Sequence, residues 1–120
     1  MMSTGTNYEQ RDIVLIPFPY SDLSSEKKRP VIILSNRWYN NRNSDVICCA
    51  ITTNPNRIMD GIEITPVDLE SGRLDKLCFI KPGTVFTLYK KKILKRLATL
   101  NVKASKEVVK NLNLKITIDE

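Results

Sequence analysis

Histidine is absent from all 120 residues. The chain therefore lacks the side chain most often used as a general base near neutral pH, and with it every Ser/His/Asp, Cys/His or histidine-ligated metal arrangement. Cysteine is scarce. Three residues, two of them adjacent at Cys48 and Cys49, cannot build a disulfide framework or a four-thiolate metal site. They lie in apolar runs and read as core packing in a reducing cytosol. The four glycines form neither a Walker loop nor a GxGxxG turn, which argues against nucleotide-cofactor chemistry. No run approaches the roughly 18 apolar residues of a spanning helix, and MMSTGTNYEQ at the start lacks the basic-then-apolar order of an export signal. These absences predict a cytoplasmic protein with no metal, no cofactor and no membrane segment. Acid is also in deficit: 13 Asp and Glu face 19 Lys and Arg, a net charge of +6, and that balance favours an anionic partner.

What is present is a run of short β-prone segments. The length and the 42% hydrophobic content suit one domain, expected over residues 11–120 behind a loose arm at residues 1–10. DIVLIPF (Asp12–Phe18), PVIILS (Pro30–Ser35) and DVICCAIT (Asp45–Thr52) are strand-length apolar runs rich in β-branched residues. Gly61–Thr65 alternates, Leu77–Lys81 is a short apolar run ended by Pro82-Gly83, and Thr84–Leu88 is β-prone again. Tyr20–Lys28 is polar, without helical period, and longer than a hairpin needs. NRWYNNRN between the second and third strands reads as a single helical turn anchored by Trp38 and Tyr39. Near the end Ser105 is a plausible N-cap, with Val108, Val109 and Leu112 at helical spacing up to Asn113. The pattern predicts a mainly β (α+β) barrel or sandwich with one terminal helix.

Basic residues gather twice, at Lys27-Lys28-Arg29 and at Lys90, Lys91, Lys92, Lys95 and Arg96. The two clusters frame either one groove or two unrelated faces. Without histidine, catalysis falls to Arg, Lys, Thr, Glu, Asp or Tyr. The segment from Asp12 to Asn54 carries these in a definite order: Asp12-Ile13 in the first strand, a polar loop, Arg29-Pro30 at the head of the second, Ser35 and Tyr39-Asn40-Asn41, then Ile51-Thr52-Thr53-Asn54 closing the third.

That order resembles the PemK/MazF toxins, in which a "GDI" strand, a loop, an "RP" strand and an "ITT" strand follow one another. The likeness continues through Gly72 and Leu74 and through Thr87-Leu88, over about residues 11 to 114. It implies a small SH3-like, PemK/CcdB-like barrel of five to seven strands with a C-terminal helix. It also implies the toxin of a type II toxin–antitoxin system, a metal-independent, sequence-selective endoribonuclease that cuts single-stranded RNA to a 2′,3′-cyclic phosphate and a 5′-OH. Arg29 and Thr52 then act at the scissile phosphate, the first as a planar fork for a crowded phosphorane and the second as a positioning hydroxyl. Glu26, three residues before Arg29, is the candidate general base. Lys27, Lys28, Thr53, Asn54, Lys81, Phe18 and Tyr20 are the expected RNA contacts, and Trp38 is a weaker stacking candidate. The implied partners are RNA, a second copy in a homodimer, and an antitoxin with an acidic disordered tail. The chain departs from the family at Arg11, where a glycine is usual, at Ala98, likewise, and at Lys81, which replaces an arginine; the acid expected near Lys81 is missing. A degenerate relative that only binds RNA or an acidic peptide, and a gyrase poison on the same barrel, are the rival readings.

Overall fold

The three apolar runs of the N-terminal half become neighbouring strands at the middle of one antiparallel sheet. The computed structural model describes residues 7–18, 27–54, 56 and 60–120. Within them lie β1 (Asp12–Phe18), β2 (Lys27–Ile33), α1 (Arg37–Asn40), β3 (Asp45–Thr52), β4 (Ile62–Ile64), β5 (Leu69–Gly72), β6 (Cys78–Tyr89), β7 (Lys95–Leu100) and α2 (Val102–Ile116), with 3-10 turns at Pro66–Asp68 and Lys90–Lys92. The strand order is β4-β6-β3-β2-β1-β7-β5, a seven-stranded barrel that is nearly closed.

Strand side chains alternate between faces, and here both faces bury apolar residues, which is why β1 to β3 read as unbroken apolar runs. Ile13, Ile32, Cys49, Ile51, Ile80, Ala98 and Leu100 form one cluster, closed by Val108 of α2. Val14, Ile16, Val31, Ile33, Val46 and Cys48 form the other, with Ile93, Tyr8, Phe86 and Leu88 packed on it. The pairs Ile13↔Ile32 and Val14↔Val31 show the two sets side by side in one register.

Several expectations are corrected. Leu77–Lys81 and Thr84–Leu88 are one strand, β6, because the register with β3 jumps from Ala50↔Lys81 to Cys49↔Val85 and lets Pro82-Gly83-Thr84 bulge out. A proline with no N–H to give to the ladder is accommodated at such a bulge. The terminal helix begins at Val102, not near Ser105: the Asn101 carboxamide oxygen accepts from Ala104 N at 2.8 Å, while the Ser105 hydroxyl donates to the Asn101 carbonyl at 2.8 Å. It runs on to Ile116, beyond Asn113. The short helix α1 exists, but its anchor is buried Asn40, whose amide donates to the Ser35 carbonyl at 2.9 Å, whereas Trp38 is 65% exposed. β2 starts at Lys27 rather than Pro30, and β5 and β7 were not anticipated. In β7 the charge of Arg96 masks the strand, and it is compensated only in three dimensions.

That compensation is a buried network. Asp12, 4% exposed, accepts from Arg96 Nε at 3.0 Å, from the Thr99 hydroxyl at 3.0 Å and from Glu9 N at 2.8 Å. The aspartate of the "GDI" element thus ties β1 to β7. The residue before it, Arg11, has φ 80°, the left-handed region in which glycine is easiest, which explains why a glycine suits this position elsewhere. Gly72 has φ 75°, and a Cβ there would meet Leu97 O at 2.4 Å and Ala98 Cα at 2.6 Å, both backbone atoms that cannot yield.

Candidate active site at the open end of the sheet

The face carrying Val31, Val46 and Cys48 continues along the same strands into a polar end. Alternation from Val31 puts Arg29 and Lys27 of β2 on that face, and from Cys48 it puts Ala50 and Thr52 of β3 there. The β2–β3 pairing ends at Val31↔Ala50, and Arg29 and Thr52 each lie two residues beyond that pair on the same face. Across β6, Thr52 pairs with Phe79 and Ala50 with Lys81, and Phe79 in turn pairs with Glu63 of β4. One row of the barrel surface therefore reads Thr52, Phe79, Glu63, with Lys81 one step behind it and Arg29 on the same face beyond the last β2–β3 pair. Neighbouring strands stand about 4.8 Å apart, so two spacings separate the backbone of Thr52 from that of Glu63 by about 10 Å.

The individual environments differ. Arg29 is half-buried, and its guanidinium carbon lies 5.6 Å from the centroid of Phe18, a contact that holds a cation over an aromatic face. Phe18 itself is 38% exposed at the end of β1, opposite Lys27. The Thr52 hydroxyl oxygen accepts from Asn54 N at 3.1 Å, which fixes the side chain yet leaves its proton to donate. The Asn54 carbonyl oxygen Oδ1 is likewise held, by Asn56 N at 3.0 Å. Lys81 is half-buried, and among the described residues no carboxylate lies within ion-pair distance of its ammonium.

Not every expected contact converges. Lys28 pairs with Pro17 and alternates to the opposite face from Arg29, and Thr53 lies exposed just past the end of β3. Glu26 and Tyr20 fall outside the described residues. Two residues of the row, Phe79 and Glu63, were missed; neither belongs to a motif, and only the β3–β6–β4 register places them beside Thr52. The cysteines do not join the chemistry. Burial, reinforced by its neighbour Cys49, pushes the Cys48 thiol up to about 12. Burial also raises Cys49 to about 12, although its hydrogen bond with the backbone at Ala50 and the charge of Lys81 act the other way. Neither supplies a thiolate nucleophile at neutral pH.

A nearly closed antiparallel barrel with a terminal helix, carrying an arginine and a threonine on one sheet face, defines a class of small barrel proteins, and comparison assigns the chain within it. The profile of PemK-like, MazF-like toxins of type II toxin–antitoxin systems matches residues 9–116, and the chain belongs to that family. Among solved structures it is similar to MazE-MazF (Form-II) from Deinococcus radiodurans, with TM-score 0.73 and 16% identity over 93% of this chain and 97% of that one. An endoribonuclease in complex with its cognate antitoxin from Mycobacterial species aligns with TM-score 0.71 and 18% identity over 95% and 99%. The Mycobacterium tuberculosis toxin MazF-mt6 aligns with TM-score 0.69 and 16% identity over 92% and 100%. No curated protein sequence matches. No described helix is long and apolar enough to cross a membrane.

Proposed function

We propose that this chain is the toxin of a type II pair and cuts single-stranded RNA by attack of a 2′-OH on the adjacent phosphate. The observation that carries the reading is that Arg29 and Thr52 share the exposed end of one sheet face, with Lys81 behind them. In the step, the bond from O2′ to phosphorus forms and the bond from phosphorus to O5′ breaks, leaving a 2′,3′-cyclic phosphate and a 5′-OH. The nucleophile sits on the substrate, so the protein's task is to hold it in line and to stabilise negative charge. Arg29 offers paired planar donors to two phosphate oxygens. Thr52 donates its remaining proton to the same phosphate, and Lys81 adds a point charge. Phe18 and Lys27 share the face of Arg29, where they would contact the strand flanking the cut; Thr53 and Asn54 would meet it further from the reacting phosphate, and Lys28, on the opposite face, takes no part.

The 2′-OH proton passes to a carboxylate, and the leaving 5′-oxygen takes a proton from solvent. Glu63 stands in the row of Thr52, and Glu26 precedes Arg29 by three residues. Glu63→Gln and Glu26→Gln separate them: the base is the one whose loss removes the acidic limb of the rate profile against pH.

The same reading includes a homodimer and an acidic-tailed antitoxin that competes for the phosphate contacts. A long unstructured RNA incubated with the protein in EDTA, beside Arg29→Ala, is the direct test. Cleavage that vanishes with Arg29 supports the reading; no cleavage, or cleavage indifferent to Arg29, overturns it.

A further inference from the structure

The second basic cluster lies at the other end of the sheet. β3 runs from Asp45, paired with Tyr89, to Thr52, paired with Phe79, so the two regions are about 23 Å apart at about 3.3 Å per residue. The 3-10 turn Lys90–Lys92 packs against α1: Lys90 N donates to the Ser44 carbonyl at 3.0 Å, and Lys90 Nζ donates to the Asn40 carbonyl. Asn36, Arg37, Asn41, Tyr89 and Lys91 line one open cavity of about 960 Å³ between them. None of the row residues lines it.

Two properties of this lobe need an explanation. Arg37 is paired with Glu9 at 3.0 Å, but among the described residues no carboxylate lies within ion-pair distance of Arg42, Lys91 or Lys92. On α1, the helix to which Lys90 is bonded, stands Trp38, the single tryptophan of the chain, 65% exposed although tryptophan is on average a largely buried residue. Arg42 is held 4.5 Å from its ring centroid, with Nη1 bonded to the Trp38 carbonyl at 2.8 Å, so the guanidinium steadies one face of an indole that stays largely exposed. A merely solvated turn accounts for the lysines and not for the tryptophan.

We propose that this lobe is a second contact for single-stranded RNA, taking the segment that flanks the cut site. Trp38 stacks on a base, and Lys91 and Lys92 neutralise phosphates. The proposal rests on the RNA reading of the Arg29 site and extends it to a remote stretch of the same strand. An acidic peptide satisfies the lysines but presents no base to the indole.

The single tryptophan makes the lobe its own reporter. Uncuttable 2′-O-methyl RNAs of about 6 and about 20 nucleotides, bracketing common single-strand site sizes, are titrated onto the full chain while indole fluorescence and RNA anisotropy are read. The long RNA is expected to quench Trp38 and to bind about tenfold tighter than the short one. Lys91→Glu with Lys92→Glu should remove that advantage and lower the salt slope by about 1.4, two single-strand phosphates' worth. Lys103→Glu with Lys106→Glu, exposed on α2, makes the same change in net charge and should preserve the advantage. The proposal is overturned by long RNA that binds without quenching, by equal losses in both double variants, or by polyglutamate of matched length that quenches as RNA does. Arg29-dependent cleavage is scored separately: cleavage without the length advantage sinks this contact alone, and the advantage without cleavage sinks only the nuclease reading.

Discussion

One sheet face carries two regions of opposite character along the same strands. At one end Val46, Cys48, Ile33 and Val31 are sealed beneath Phe86, Leu88, Ile93 and Tyr8. At the other, Thr52, Arg29, Phe79 and Lys81 occupy the same alternating positions and keep contact with solvent. Backbone geometry is common to both, so what separates them is cover. Where the turn before β7 and the segment before β1 close over the strands, apolar side chains are stabilised by leaving water; where nothing described lies above, cations and hydroxyls cost little to place and remain available to a ligand. A face that is core at one end and polar at the other lets packing hold the polar end rigid.

Substitutions on the two ends should therefore fail in different ways. Arg29→Ala should cut cleavage by on the order of 10²- to 10³-fold, the usual loss for one transition-state donor, and move the thermal midpoint by less than about 4 °C. Ile33→Ala, on the same face of β2 but at the sealed end, should lower stability by about 3 kcal/mol in denaturant unfolding, with activity per folded molecule retained. A uniform loss of both properties in either variant would erase the distinction. Gly72→Ala lies outside both regions and should cost about 3 kcal/mol by the same assay, because a left-handed backbone and a blocked Cβ act together. Asp12→Asn, which leaves Arg96 facing a neutral partner, should cost about 2 kcal/mol.

The smallest effect at neutral pH is that of the thiols. Cys48 and Cys49 have folded values raised from 9.0 to about 12, so the neutral form is favoured by folding. Their contribution is fully present below pH 9 and is lost as pH rises from about 9 through about 12. Cys48→Ala with Cys49→Ala should flatten that part of the stability profile relative to the parent chain. Native protein near pH 8 should leave both thiols unlabelled by a disulfide reagent until denaturant is added.

Much of this was legible along the chain. β1 and β3 announce themselves as apolar runs because both their faces are buried, and α1 was visible as a polar interruption, although its N-cap Asn36 was not foreseen. The order Asp12-Ile13, Arg29-Pro30, Ile51-Thr52-Thr53 pointed to the family that the profile match shows. Less was legible where pairing is remote. β6 looked like two strands because a proline and a glycine punctuate it, and only the partner strand shows that they bulge within one ladder. β7 was hidden by Lys95 and Arg96, since the buried carboxylate that offsets Arg96 is Asp12, far away in sequence.

The sequence by itself determined the composition of the site: a barrel-forming order of apolar runs, a positive balance, no histidine, and an arginine and a threonine at strand ends. Tertiary structure decided the company those two residues keep. Strand alternation put Arg29 and Thr52 on one face and turned Lys28 away, register added Phe79 and Glu63 to the row of Thr52, and the turn Lys90–Lys92 went to the opposite end of β3. The physical reason is the period of the strand: a shift of one residue exchanges the two faces, and the pairing that forbids that shift is made by residues distant along the chain.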